Sequence, residues 1–351
     1  MVARRRVRAA LVAAAAGGLL LAACGGPARL SADQANATTG VTITLYNGQH
    51  EQTTQALVKQ FEAQTGIRVR ERDGDESALA EQIDQEGSAS PADVFYSENS
   101  PALMALEGKH LLAPVAPTTL AQVPARYSSP QGGWVGVSAR VSVLVYNTSR
   151  VQPSQVPTSV LDLADPKWKG KLALAPTETD FQPVVTSIAK TEGQKAALHW
   201  LKAVASNAAD HIEPDNETLT ADVNNGQAAL GLLDHYYWYR LGKEIGSGAM
   251  HSQIAYFVPH DPGYVVNVSG AGVLKTSRHP AAAQMLLAFL VSATGQKVMV
   301  DSDSFEYPLR PGIAAPAGLR PFDELQPAPL TIAELGDGME ALDLIQQAQL
   351  V

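Results

Sequence analysis

The chain carries one cysteine, Cys24, in 351 residues. That excludes an internal disulfide framework and any zinc site built on several thiolates. Basic residues are also scarce: 26 Lys and Arg stand against 35 Asp and Glu, for a formal net charge of −9. Such a balance argues against nucleic acid and anionic lipid as partners, and favours cations. Neither a Gly-x-Ser-x-Gly elbow nor a His-Glu-x-x-His helix occurs, so these two hydrolase signatures are missing. Internal repeats are absent, and the long apolar run is confined to the N-terminus.

What is there begins with an address. Arg4, Arg5, Arg6 and Arg8 precede the apolar stretch Ala9 to Ala23, and Leu21-Ala22-Ala23-Cys24 reads as a lipobox. The stretch is too short and too rich in alanine to remain as a membrane span. Residues 1–23 are therefore expected to be a cleaved lipoprotein signal peptide, with Cys24 lipidated. Arg4-Arg5 also allows twin-arginine export, although the residues that follow fit it poorly. Residues 24–40 are small and polar and read as a flexible tether. Losing the leader removes four arginines and no acid, so the mature chain is more acidic still, and it is long enough for two domains.

Periodicity then organises the body. Val41 to Leu45 reads as a strand ending at Tyr46-Asn47-Gly48-Gln49-His50; Leu57, Val58 and Phe61 recur at helical spacing until Gly66. A second strand from Ile67 to Arg70 and a helix through Leu79 and Ile83 to Gly87 follow. Ser90 to Glu98 is a third strand ending in a carboxylate, and Pro101 opens a helix. This βαβα order implies parallel pairing with right-handed crossovers, so His50 and Glu98 fall just past carboxyl ends of strands, where open α/β sheets bind ligands. Val135 to Tyr146 reads as a long strand leaving a first lobe. Leu172 to Ala175 is a strand of a second lobe, with a helix around Ala196 to Val204. Ile254 to Val258 and Tyr264 to Leu274 are strands returning to the first lobe, followed by a helix from Ala281 to Leu290. A last helix, Met339 to Gln349, straps the second lobe. The expected architecture is a two-lobed α/β clamshell, each lobe a mixed, mostly parallel sheet flanked by helices. Its lobes are 41–140 plus 267–317, and 141–266 plus 318–351.

The stretch Leu232-Leu233-Asp234-His235-Tyr236-Tyr237-Trp238-Tyr239-Arg240 passes from an apolar run to an acid, an imidazole and phenols at a strand-to-helix handover. Aromatic clusters are ordinarily packing material, and Trp238 and Tyr239 are assigned to it. Should Tyr236 and Tyr237 converge with His50 and Glu98, the chemistry changes. Ionising a phenol of pKa near 10 costs about 4 kcal/mol at pH 7, which only a strong Lewis acid returns. Calcium and magnesium prefer carboxylates and carbonyls, and zinc prefers His, Cys and carboxylate. Two phenolates and one carboxylate match a trivalent cation, which points to ferric iron. His50 taken alone could equally be a helix-start contact, and Glu98 a carboxylate beside a helix.

Tyr46 to His50, Ser90 to Glu98 and Tyr236-Tyr237-Trp238 resemble the three ligand segments of the periplasmic ferric-ion-binding proteins, the solute receptors of iron ABC importers. The similarity extends over Pro166 to Gly170, Ser269 to Lys275 and Glu306-Tyr307-Pro308. The resemblance implies that His50 and Glu98 from the first lobe and Tyr236 and Tyr237 from the second hold Fe3+. It also implies a chain that is no enzyme but a monomeric receptor, attached to the extracytoplasmic face of the membrane by its lipid alone, with an ABC permease as partner. Family members complete the shell with a small anion such as phosphate, held by a helix N-terminus and asparagines. Here that segment is Pro176-Thr177-Glu178-Thr179-Asp180-Phe181, and Asp234 stands where an asparagine is expected. Asn216 is kept, and Asn99 joins this second group of contacts. Acids at both anion positions argue against a synergistic anion, with Asp180 expected to cap the helix itself. Two other readings remain open: the same clamshell holding an organic cation of thiamine or polyamine type among the aromatics, and an extracytoplasmic metallohydrolase using His50 and Glu98 as base and acid.

Overall fold

In strand β1, Thr42–Gly48, the buried Ile43 and Leu45 alternate with Thr42 and Thr44, so one face meets the core. The computed structural model describes residues 40–351; the leader, Cys24 and the tether before Gly40 lie outside the described residues. Helix α1, Glu51–Thr65, turns Leu57, Val58 and Phe61 inward, and Phe61 meets Phe289 at 5.6 Å between ring centroids. Each such side chain contributes roughly 1.5–3 kcal/mol by leaving water. Gly66, at φ 72°, ends the helix with its N–H donating to Glu62, a left-handed position that costs glycine nothing. Strand β2 (Arg68–Asp73), helix α2 (Glu76–Glu86), strand β3 (Val94–Ser97) and helix α3 (Ser100–Gly108) complete the expected alternation. Both β2 and β3 pair with β1 in parallel.

The remaining strands are β4 (Leu112–Ala113), β5 (Trp134–Asn147), β6 (Leu172–Ala173), β7 (Leu230–Asp234), β8 (Ser252–Ala255), β9 (Val266–Leu274) and β10 (Tyr307–Pro308). They form a mixed sheet in the order β2-β1-β3-β9-β5-β7-β6, with β4 on β9 and both β8 and β10 on β5. Strand β5 is buried along its whole length and does two jobs. Trp134 to Val141 pair antiparallel with β9; Ser142 to Tyr146 pair with β7, and Leu144 to Asn147 with β8. The sheet therefore has two sections joined along one continuous strand.

Around the second section lie α4 (Phe181–Glu192), α5 (Gln194–Asn207), α6 (Asn216–Asn225) and α7 (His235–Ile245). Helices α8 (Pro280–Leu290) and α9 (Ala293–Asp301) cover the first, and α10 (Met339–Gln347) packs on α4 and α5. Among the departures from the sequence reading are two strand boundaries and one helix. The strand expected at 254–258 sits at Ser252–Ala255, and β9 begins at Val266 because Tyr264 closes a turn on Asp261, N to O 2.9 Å. Of helix α4 only the head at Asp180 was expected: in its body Val184, Val185, Thr186 and Ile188 are strand-prone, and burial of nearly the whole element overrides that preference. Among the described residues no single helix is long and apolar enough to cross a membrane.

Candidate functional site

Strand β1 delivers His50 through a short, tightly bonded turn. Asn47 accepts from Gln49 N at 3.2 Å and Thr54 Oγ1 at 2.9 Å, and donates to Gln49 O at 2.8 Å. His50 then occupies the N-cap position of α1, yet its side chain makes no capping bond, so the imidazole faces the cleft. Gly48 allows this turn to lie against α2: a Cβ there would stand 2.5 Å from Glu76 Cβ. Glu98 leaves the end of β3 immediately before α3. On the other side, β7 ends at Asp234 and α7 begins at His235, so that Tyr236 and Tyr237 project from its first turn.

The structure brings His50, Glu98, Tyr236 and Tyr237 together. His50 Nε2 is 3.4 Å from Glu98 Oε1, and the Tyr236 hydroxyl donates to the same Glu98 oxygen. The two tyrosine rings lie 4.1 Å apart at 33°, with His50 edge-on to them at 5.2 and 6.3 Å. The tyrosines are buried, whereas the His50 and Glu98 side chains keep 14% and 17% exposure. Access is therefore from the His50 and Glu98 side, where a cleft of about 440 Å³ is rimmed by Glu51, Asp75, Glu178 and Glu217.

Burial governs the protonation of this group. It pushes both phenols well above their ordinary range, helped by the charges of Asp180 and Glu98. Burial and the neighbouring Asp180 likewise raise Glu98, which Arg140 partly offsets. His50 is driven well below its usual value, first by burial and then by Arg240 and Arg140, so it is a neutral donor of a lone pair. Among the described residues no group of three His, Cys, Asp or Glu side chains is placed to hold a metal. A metal at this place would need the phenols as ligands.

Behind the tyrosines, Asp180 accepts from Asn216 Nδ2 at 3.2 Å and from Tyr236 OH at 3.4 Å. The expectation that Asp180 caps its helix is corrected: it heads α4 with helical dihedrals and no side-chain capping bond. Its carboxylate turns to the site instead, because a buried charge is better served by Asn216 and Tyr236 than by its own backbone. Thr179 and Asn99 do not reach the tyrosines. Asn99 Nδ2 donates to Thr179 Oγ1 at 2.9 Å, and both bond the buried carboxylate of Glu76, which Ser97 and Asn99 N also meet at 2.7 Å. This group ties the head of α2 to the segment preceding α4. Glu178 stays on the rim, its carboxyl pushed up to about 8 by burial and by Asp180 and Glu217. Trp238 and Tyr239 are half-buried: the indole donates to Ser252 O at 3.2 Å, and Tyr239 stacks on Phe305.

Asp234 is buried behind Tyr236, and burial together with Asp180 raises its carboxyl well above the ordinary range. The folded chain thus holds a proton that the unfolded chain releases. The resulting cost to stability is absent below the unfolded carboxyl range and grows as pH rises toward the folded value. Asp234→Asn should therefore stabilise the metal-free protein at neutral pH and leave it unchanged in acid, read by thermal unfolding at both; a destabilised variant at neutral pH would contradict this.

Sequence reading missed Arg140, Glu76 and the role of Glu306. Arg140 lies in β5 with no exposed surface, Nη2 3.0 Å from Glu306 Oε1 and 3.6 Å from Glu98 Oε1, its guanidinium carbon 5.5 Å over the Tyr236 ring. Burial alone would depress it; Glu306 and Glu98 hold it well above its usual value. The available signal was a lone charge in the apolar run Val135 to Tyr146, since a buried charge implies a partner.

Residues 89–330 match a family model described as bacterial extracellular solute-binding protein. The chain is 38% identical over 320 residues to the Fe(3+)-binding periplasmic protein of Serratia marcescens, covering 91% of this chain and 93% of that one. It is 35% identical over 308 residues to the major ferric iron-binding protein of Neisseria meningitidis, covering 87% and 92%. Iron-bound HitA from Pseudomonas aeruginosa superposes with a TM-score of 0.84 at 43% identity, covering 88% of this chain and 99% of that structure.

Proposed function

The chain belongs to the bacterial extracellular solute-binding proteins and, within them, to the periplasmic ferric-ion-binding proteins; from that premise we propose that it captures ferric iron through His50, Glu98, Tyr236 and Tyr237. It is a binding protein for iron uptake, not an enzyme. Anchored through a lipid on Cys24, it hands the ion to an ABC importer permease on the extracytoplasmic side of the membrane. The observation that carries the reading is the convergence of two buried phenols with an imidazole and a carboxylate from the opposite section of the sheet. Phenolate oxygens need a strong Lewis acid, and the surrounding buried acids Asp180 and Glu306 welcome positive charge. An organic cation would need open aromatic faces; Tyr236 and Tyr237 cover one another. The decisive measurement is metal content and visible absorption of the purified protein, which should be coloured by phenolate-to-iron charge transfer when loaded. A colourless protein that takes up no iron from a ferric chelate would end the proposal.

The lobes, taken as 41–140 plus 267–317 and 141–266 plus 318–351, close about the strands that cross between them. Only the closed state assembles all four ligands, so iron favours it by its difference in affinity. The tether and the lipid keep the receptor near its permease.

Binding must expel a proton from each phenol. The log of the affinity should therefore climb by about two per pH unit from acid to neutral, more where Glu98 also yields its proton. Competition against a chelator of known pH dependence measures this, and a flat profile would exclude phenolate ligation.

No external anion is needed. Asp180, a carboxylate at one anion-contact position, repels phosphate; Asp234, at the other, offers no amide to hold it; and a carboxylate or water fills the place. Iron titration of metal-free protein with and without phosphate should give the same affinity; a strict phosphate requirement would refute this.

A further inference from the structure

Arg240 stands four residues after Tyr236 on α7, so both side chains leave one helix face. Its Nη1 lies 3.1 Å from Nε2 and 3.2 Å from Nδ1 of His50, and 3.6 Å from Oε1 of Glu217. Near-equal distances to both ring nitrogens put this guanidinium nitrogen over the face of the imidazole, so a permanent positive charge rests on the ring that a metal would use. The contact also spans the cleft: α7 follows β7 in the second section of the sheet, and His50 heads α1 in the first. Among the described residues that line the cleft, Arg240 alone carries a permanent positive charge, with Glu51, Asp75, Glu178 and Glu217 around it. Glu217, on α6, belongs to the same section as Arg240, and its side chain is 57% exposed. The pair Arg240–Glu217 can therefore persist when His50 is released.

We propose that Arg240 is a built-in surrogate for the cargo: in the metal-free chain its guanidinium takes the cation's place at His50 and latches the cleft closed, and the incoming ferric ion displaces it toward Glu217. This rests on the ferric reading of His50. A guanidinium and a trivalent ion cannot both rest against one imidazole, because their charges repel at that distance. Arg240 thus trades affinity for release: it lowers the equilibrium hold on iron and speeds departure by reclaiming His50. Once displaced it pairs within its own section, so closure of the loaded protein is carried by the metal.

The test compares the full chain with Arg240→Gln, Arg240→Lys and Glu217→Gln. Two measurements are made: the radius of gyration of the metal-free protein by small-angle scattering, and iron partition against citrate. Metal-free R240Q should be more expanded than wild type and should bind iron at least about tenfold more tightly, since a positive charge at contact distance has gone. R240K, which keeps the charge, should return both values toward wild type. E217Q, which removes the alternative partner, should weaken iron binding severalfold, and as a change at an exposed side chain it tests the latch even if R240Q fails to fold. R240Q with wild-type radius and affinity would overturn the latch. Weaker binding by R240Q would also overturn it, making Arg240 a support for an anion carried with the metal. A wild-type chain that takes up no iron would remove the ferric reading and the latch together, whereas a wild-type chain that loads while R240Q and E217Q match it removes the latch alone.

Discussion

Replacing Tyr236 and Tyr237 together by phenylalanine should abolish ferric binding while leaving the protein folded. Each phenolate supplies a charge next to the ion, and losing a charged partner in a buried site costs about 3 kcal/mol or more, so the pair should cost on the order of 10⁴-fold or more in affinity. The rings themselves, packed at 4.1 Å, survive the change. The metal-free fold loses chiefly the hydrogen bonds from Tyr236 to Glu98 and Asp180, at about 1–2 kcal/mol. The visible band should vanish from the double variant, and each single variant should keep a weaker, shifted one. Tight iron binding retained by the double variant would rule out the assignment of these residues as ligands, whatever the cargo.

Replacing Arg140 by methionine should have the largest effect on stability. The side chain has no exposed surface and lies 3.0 Å from Glu306 and 3.6 Å from Glu98. Its loss strands the buried Glu306 and takes a counter-charge from the partly exposed Glu98, and breaking a buried pair from one side costs about 3–5 kcal/mol. Denaturant unfolding of the metal-free variant should show this loss. Pairing Arg140→Met with Glu306→Leu should recover a good part of it, because both charges then leave together. Ferric iron brings its own positive charge to Glu98, so the gap in thermal stability between loaded and metal-free protein should widen in the single variant. A loss below about 1 kcal/mol would mean that Glu306 and Glu98 are held by protonation rather than by the arginine.

The elements that carry the ligands were legible where local chemistry decides. Helix α1 announces itself through the spacing of Leu57, Val58 and Phe61 and through Gly66, whose left-handed conformation few other residues accept. Strands β1 and β3 end in polar residues because their apolar cores stop there, which puts His50 and Glu98 at one sheet edge. The handover at Asp234–His235 is equally local, an apolar strand giving way to a helix whose buried residues are His235, Tyr236 and Tyr237. Of helix α4 only the head was legible, through the resemblance at Asp180, since the β-branched residues of its body favour a strand until the fold surrounds them.

The second circle of residues was legible only in part. Asn216 and Asp180 were expected near the site and bond one another there. The capping role read for Asp180 failed because a capping preference is a local rule, and a buried phenol and amide outbid it. Nothing in the neighbourhood of Glu76 marks it as the carboxylate on which Ser97, Asn99 and Thr179 meet, for these partners come from two stretches far from it in the chain.

The sequence by itself determined most of the segments that become strands and helices, that the chain favours positive charge, and which residue types a ferric ion would choose. Hydrophobic period, turn residues and ligand chemistry are properties of short stretches, so they survive without a fold. Only the tertiary structure decided that Arg140 is a buried counter-charge, that Glu76 joins α2 to the segment before α4, and that Arg240 reaches His50 across the cleft. Those are pairings between residues far apart in the chain, and their strength comes from burial, which removes the water that would otherwise screen each charge.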